Sequence, residues 1–241
     1  MKSGSLVLDN YKAYIRRASD GPNGKTTRAS VLTARLRAAI LRGDLKPGQK
    51  VNLDRLRDEY GVSLSPLREA ISRLAVDGLV QTQDQRGSTI TPLTSCELEE
   101  IGRLRREVDI LALRTAMARG GVVWHANLRE TAVALHTASR FEDDENFDEI
   151  WSVAHTNFHK AMISGSQMPM LVAFCMNLHD LHDRYRRQLS PPNVPYGEVW
   201  REHAEIASCA LSGDVEATVL ALQTHFDTEI VSLAERLKNA S

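Results

Sequence analysis

Gly61-Val-Ser-Leu-Ser-Pro-Leu-Arg-Glu-Ala-Ile-Ser-Arg-Leu-Ala-Val-Asp-Gly-Leu79 is the stretch that decides how the front of the chain folds. Gly61 supplies a flexible turn. Ser63 or Ser65 offers a hydroxyl to cap a helix, and Pro66 suits a first helical position, where its missing N–H would have no helical partner. Leu67, Ala70, Ile71 and Leu74 then recur at helical spacing and should face a core, while Arg68, Ser72 and Arg73 take the opposite face. Gly78 ends the run. A short helix with hydroxyls at its N-terminus and an arginine near its start suits a major groove. Its backbone N–H groups meet phosphate, and its arginine meets phosphate or guanine. The stretch therefore predicts the turn and second helix of a helix-turn-helix.

The flanks agree with that reading. Upstream, Val31, Leu32, Leu36, Ala39 and Ile40 make an apolar stripe that predicts a helix over residues 30–42, closed by Gly43. Asp44-Leu-Lys-Pro-Gly48 is a tight turn, and a second helix is expected over residues 53–60. Downstream, Leu79-Val-Gln-Thr-Gln and Ser88-Thr-Ile-Thr-Pro are short strand-like runs joined at Asp84-Gln-Arg-Gly87, a hairpin. Helix, helix-turn-helix and hairpin make a winged helix over residues 28–94. Residues 1–27 read as a flexible arm, with turn formers at Ser19-Asp-Gly-Pro-Asn-Gly24; Arg16 and Arg17 there are tail residues within reach of a DNA backbone.

From Ser95 onward long helical patterns replace strand signals, over residues 95–119, 124–141, 145–164, 168–189, 197–211 and 214–238. Gly120-Gly121, the acidic Glu142-Asp-Asp-Glu145, Gly165, Ser190-Pro-Pro-Asn-Val-Pro195 and Gly213-Asp214 separate them. Thr94 and Glu97 have capping-box spacing, and Asp214 suits the N-cap of the last helix. The fold class is thus mainly α: an N-terminal winged helix-turn-helix domain, then an all-α helical-bundle domain over residues 95–241, with the boundary near residues 92–97 as a hinge.

Charge follows the same division. The net charge of −1 resolves into +3 over residues 1–27, +4 over 28–95 and −8 over 96–241, so the front suits a polyanion. No apolar run approaches the roughly 20 residues of a membrane span, and the first ten residues lack the apolar core of a secretory signal. Cys96, Cys175 and Cys209 are few and scattered. Together these features predict a cytoplasmic protein without disulfides or membrane contact.

Leu36-Arg-x3-Leu-x-Gly-x-Leu-x-Pro-Gly48, Gly-Val-Ser-x-Ser-Pro-Leu-Arg-Glu-Ala70, Leu-x3-Gly-Leu-Val80 and Arg86-Gly87 resemble the DNA-binding domain of the GntR family of bacterial transcription regulators. The resemblance implies operator contacts at Ser63, Ser65, Arg68 and Gly87, with Arg86 beside the wing tip. Two positions depart from the family pattern. Leu64 stands where the family often has arginine, and a position that is often basic is Asp54, beside Arg55.

In the helical half, His155 and His159 stand four apart, which places both imidazoles on one helix face within reach of one ion. His203 and His225 lie on later helices that a bundle could bring to the same point. The alternative is a set of buried histidines bonded to carboxylates. Leu104-Arg-x2-Val-Asp109, His155-x3-His159, Glu202-His203, Gly213-Asp214 and His225 resemble the effector domain (FCD type) of the FadR-like branch of the GntR family. That resemblance implies a divalent metal held by one Asp and three His. His159, His203 and His225 match, and His155 stands where the Asp is usual. Four neutral imidazoles leave the site with the ion's full charge and favour zinc, or nickel, copper or iron, over manganese, magnesium or calcium. Such a centre attracts an anion. Arg105 matches the arginine that faces the effector in relatives, and the alternative for it is a surface pairing with Asp109. His179, His182, Arg184, Tyr185 and Arg186 crowd one helix and are candidates for the same cavity, whereas His125 and His136 read as surface or packing residues.

The function these features predict is a homodimeric, metal-containing repressor of a catabolic operon. It would bind double-stranded operator DNA and be released by a small carboxylate effector. A metal sensor, in which the ion itself is the signal, is the alternative. A helical metalloenzyme is disfavoured, because no general base such as a Glu directly after the first His accompanies the cluster.

Overall fold

A computed structural model describes residues 27–83, 86–139, 147–190 and 196–240. The predicted arm, except Thr27, lies outside the described residues, as do Asp84 and Gln85 of the hairpin, the 142–145 turn and residues 191–195. The chain forms two compact units that divide between Pro92 and Leu93.

The first unit comprises α1 (Arg28–Arg42), α2 (Leu53–Tyr60), α3 (Leu64–Val76), β1 (Val80–Gln83) and β2 (Gly87–Ile90). The Thr27 hydroxyl accepts from Ser30 N and starts α1. The buried stripe of α1 runs through Ala29, Leu32, Leu36, Ala39 and Ile40. Val31, expected in that stripe, sits on its flank and is 45% exposed. The 46–49 turn places Pro47 before Gly48 at φ 76°, with Gln49 N donating to Lys46 O, which is type II geometry. Asn52 caps α2 through Arg55 N.

Helix α3 begins two residues before the position expected from Pro66. Ser63 occupies the N-cap position without a side-chain bond, so Pro66 falls in the first turn at the third helical residue. Its missing N–H is still one of the groups a helix start leaves unpaired, so it is tolerated there. Leu67, Ala70, Ile71 and Leu74 are buried as the spacing predicts. At the far end Gly78 N donates to Ala75 O and Leu79 N to Leu74 O, a Schellman closure made possible by Gly78 at φ 79°. Leu79 thereby turns into the core and leads into the wing. There β1 and β2 pair antiparallel, Val80 with Ile90 and Gln83 with Gly87. Thr91 returns the chain by donating from its hydroxyl to Gly78 O.

The second unit holds α4 (Ser95–Arg119), α5 (Val122–Ala138), α6 (Phe147–Ser164), α7 (Pro169–Leu189), α8 (Tyr196–Ser212) and α9 (Val215–Ala240). Thr94 Oγ1 accepts from Glu97 N, half of the predicted capping box. The other half is absent because the Glu97 carboxylate turns to Arg184 and the Tyr185 hydroxyl instead. Asp214 caps α9 through Ala217 N, as predicted. Leu113, Leu128, Leu135, Phe158, Ile206 and Leu222 are fully buried in the main core. Gly102 lets α9 approach α4, since a Cβ there would meet Ile230 Cδ1 at 2.8 Å. Among the described residues no helix is long and apolar enough to cross a membrane.

Candidate metal centre and nucleic-acid interface

In the first unit, Ser63, Ser65, Arg68 and Arg86 are all exposed. Among the described residues Arg68 has no hydrogen-bonded or ionic partner, so pairing with a neighbouring carboxylate or Ser72 does not describe it. Arg73, one turn further on, is committed to Glu69 at 2.6 Å and to Ser30 at 3.0 Å. The difference leaves Arg68 free to meet a ligand. Arg86 N donates to Gln83 O in the wing, and Gly87 takes φ 84°, a conformation suited to glycine at the tip. Asp54 is occupied by Arg57 at 3.1 Å.

In the second unit, α6, α8 and α9 bring one ring nitrogen each of His155, His159, His203 and His225 within 4.8 Å of one another. All four side chains are buried. His159 Nε2 lies 3.0 Å from His155 Nε2 and 3.3 Å from His203 Nε2. Bonds of about 2.0–2.1 Å to a shared ion require neighbouring nitrogens about 3.3 Å apart in a tetrahedron. The outer nitrogens fix the tautomers. His203 Nδ1 faces the Val199 carbonyl at 2.7 Å, and His225 Nδ1 faces the Glu202 carboxylate at 2.7 Å. Each Nδ1 must therefore carry a proton, so in the neutral ring that a metal binds it is Nε2 that presents the lone pair inward. Among the described residues His225 Nε2 has no hydrogen-bond partner. Burial holds His155 and His159 well below the ordinary imidazole range, with each reinforced by its neighbouring rings. Burial likewise lowers His203 to about 3. Neutral imidazoles with inward lone pairs are the donor set a late transition metal takes, so the residues fit an ion.

Arg105 is buried rather than on the surface. It contacts Asp109 at 3.3 Å, lies 3.9 Å from Glu229 and stacks over Phe226 at 4.4 Å. Its Nη2 has no hydrogen-bond partner among the described residues. Burial raises the Asp109 carboxyl despite Arg105 beside it. His179 and His182 are also buried, and burial lowers them to about 3 and about 4. Arg184 and Tyr185 do not join them, because Glu97 and Thr94 hold both. Arg186 reaches Ser152 at 2.7 Å, pairs with Asp183 and lies over Trp151. His136 is exposed and stacks on Trp200, and His125 faces the Gly121 carbonyl.

Two carboxylates carry roles that the sequence did not assign: Glu202 was quoted only as the neighbour of His203, and Glu229 was not named. Glu202 orients His225 from the neighbouring helix, and Glu229 stands one turn beyond His225 on the same face of α9. The spacing of four from His225 was a usable signal for Glu229. The position of Glu202 beside His203 was not, because its partner belongs to another helix. Burial opposes the charge on Glu229, yet His182, His225 and Arg105 outweigh it and bring the carboxyl down to about 2.

Residues 28–90 match the family model described as bacterial regulatory proteins, gntR family, and residues 100–228 match the FCD domain. The HTH-type transcriptional regulator BphR of Paraburkholderia xenovorans is 31% identical over 198 residues, covering 81% of each chain. The HTH-type transcriptional repressor GlaR of Escherichia coli is 30% identical over 151 residues, covering 63% of this chain and 69% of that one. Among solved structures, Escherichia coli McbR/YncC superposes with a TM-score of 0.75 at 21% identity, covering 88% of this chain and all of that one.

Proposed function

The chain belongs to the GntR family of bacterial transcription regulators, in the branch with an FCD domain, and from that premise we propose that it is a metal-containing repressor released by a small carboxylate. The observation that carries the reading is the convergence of His155, His159, His203 and His225 within 4.8 Å, with the outer nitrogens of His203 and His225 engaged. Zinc suits this donor set best, with nickel or iron as substitutes. The ion would supply a fixed positive charge that attracts an anion. His155 serves as the fourth imidazole in place of a carboxylate, which leaves that charge uncompensated by its ligands. Arg105, with Nη2 unpartnered, offers a donor to the effector's carboxylate.

The winged-helix unit supplies the operator contacts: Ser63 and Ser65 to phosphate, Arg68 to a base or phosphate, Arg86 and Gly87 at the wing. Two copies in a homodimer place two α3 helices on half-sites about one helical turn apart. The effector switches the protein only by binding the operator-competent and incompetent arrangements with different affinity. Repression follows the named activity of GlaR.

The test is elemental analysis of the wild type, His155→Ala and His159→Ala, each followed by operator binding with and without small carboxylates. About one ion per chain, lost in His159→Ala together with the carboxylate response, is the expected result. An ion retained by His155→Ala restricts the ligand set to three histidines. Operator affinity that moves with the ion alone makes the ion the signal. No ion in any form overturns the metal reading.

A further inference from the structure

Helix α3 opens on an apolar residue that the core does not fully take. Leu64 is its first residue and is only half-buried, whereas Leu67, Ile71 and Leu74 further along are 5% exposed or less. At about 100° per residue, Leu64 stands about 40° round the helix from Arg68, one turn on. Ser65, Arg68 and Ser72 are exposed on that side. Glu69 and Arg73, further round, are committed to each other. Ser63, at the N-cap, makes no side-chain bond to the helix. A helix that enters a major groove sets its N-terminal residues against the base edges. On this side α3 brings two hydroxyls, one guanidinium and the Leu64 side chain, and they read different features. A hydroxyl pairs with donors and acceptors alike and discriminates little, and a guanidinium prefers O6 and N7 of guanine. An apolar side chain has one matching feature in the groove, the C5-methyl of thymine.

We propose that Leu64 is a specificity-determining residue of the operator contact: it packs on the C5-methyl of one thymine in each half-site, next to the base or phosphate that Arg68 meets. The inference rests on α3 as the reading helix and goes beyond it by naming a base that the helix selects. Contact removes the methyl and the exposed part of Leu64 from water together. Partial burial already restricts the side chain, so little rotamer freedom remains to be lost on contact. Guanine or adenine at the same position would turn N7 against leucine, an acceptor deprived of water and offered no donor. Cytosine would offer no methyl.

The experiment first selects operator sites from random duplex DNA with the full-length protein. Each thymine of the selected site is then replaced by deoxyuridine, which lacks only the C5-methyl, and affinity is measured at fixed salt. In the wild type one thymine per half-site should respond. Loss of its methyl should weaken binding about three- to fivefold, the effect of one buried carbon, and about tenfold or more when both half-sites are changed. Cytosine at that position should regain a similar factor on 5-methylation, a readout on the DNA that needs no protein variant. Leu64→Ala should bind thymine and deoxyuridine there equally. Leu64→Met keeps an apolar side chain of similar volume and should keep the response, which covers the case of a poorly folded Ala variant. Leu64→Arg should exchange the selected thymine for guanine in a fresh selection. A wild type indifferent to every methyl, or a response unchanged in Leu64→Ala, overturns the assignment while leaving α3 as the reading helix. Selection of no sequence above random DNA overturns both.

Discussion

The two units solve opposite problems. In the winged-helix unit, Thr91 is the one buried polar side chain among the described residues, and the charged residues lie at or near the surface. The helical unit buries Arg105, Asp109, His155, His159, His179, His182, Asp183, Arg184, His203 and His225. The first is an apolar core with charged groups turned outward, Arg68 among them, which the proposed operator contacts would use. The second turns unpaired groups inward, where each missing hydrogen bond must be met by a ligand or counted against stability. The comparison teaches where conditions act. Ions and pH should reach the second unit and leave the first largely untouched.

Acidification gives the largest expected effect. All eight histidines lie between residues 125 and 225, and none in the winged-helix unit. An unfolded imidazole takes up a proton below about pH 6.5. His179 and His182 in the folded unit resist protonation down to about 3 and about 4. The folded state thus binds fewer protons in this window. Stability is complete above about pH 6.5 and is lost as pH falls towards 4, on the order of 2 kcal/mol for each of these two by pH 5. Trp124, Trp151 and Trp200 all belong to the helical unit, so tryptophan fluorescence of metal-free protein follows that unit alone. A melting temperature unchanged between pH 7 and 5 would remove the contrast.

Arg68→Ala tests the outward half. Loss of one base or phosphate contact of about 1–3 kcal/mol should weaken operator binding on the order of 10- to 100-fold. The melting curve and the metal content should not move, since Arg68 has no partner among the described residues to lose. Operator affinity equal to wild type in a titration at fixed salt would show that the exposed arginine is not part of the reading surface.

The smallest effect is expected at Glu69→Ala. It breaks the pair with Arg73 on the same helix, but both side chains are about half exposed, and such pairs contribute about 0.5 kcal/mol or less. A denaturant melt that shifts by more than about 1 kcal/mol would mean that the surface charges of the first unit are coupled to its core, against the comparison.

Much of this molecule was legible in its sequence, because local rules wrote it there. The period of Leu67, Ala70, Ile71 and Leu74 determined the buried face of α3, Gly78 its end, and the stretch from Leu79 to Pro92 the wing. The i, i+4 spacing of His155 and His159 determined a shared face, because two residues one turn apart on a helix can point nowhere else. The tertiary structure decided the rest. Whether His203 and His225 join that face depends on how α6, α8 and α9 pack, and helix packing depends on contacts between residues far apart in the chain. The same holds for Arg105, which pairs with Asp109 but is buried by Phe226 and Glu229 of α9. It holds for Glu97, drawn from its expected cap by Arg184 and Tyr185 of α7, and for Glu202, whose partner His225 lies on another helix. Sequence spacing fixes which groups share one helix face, and only packing fixes which faces meet.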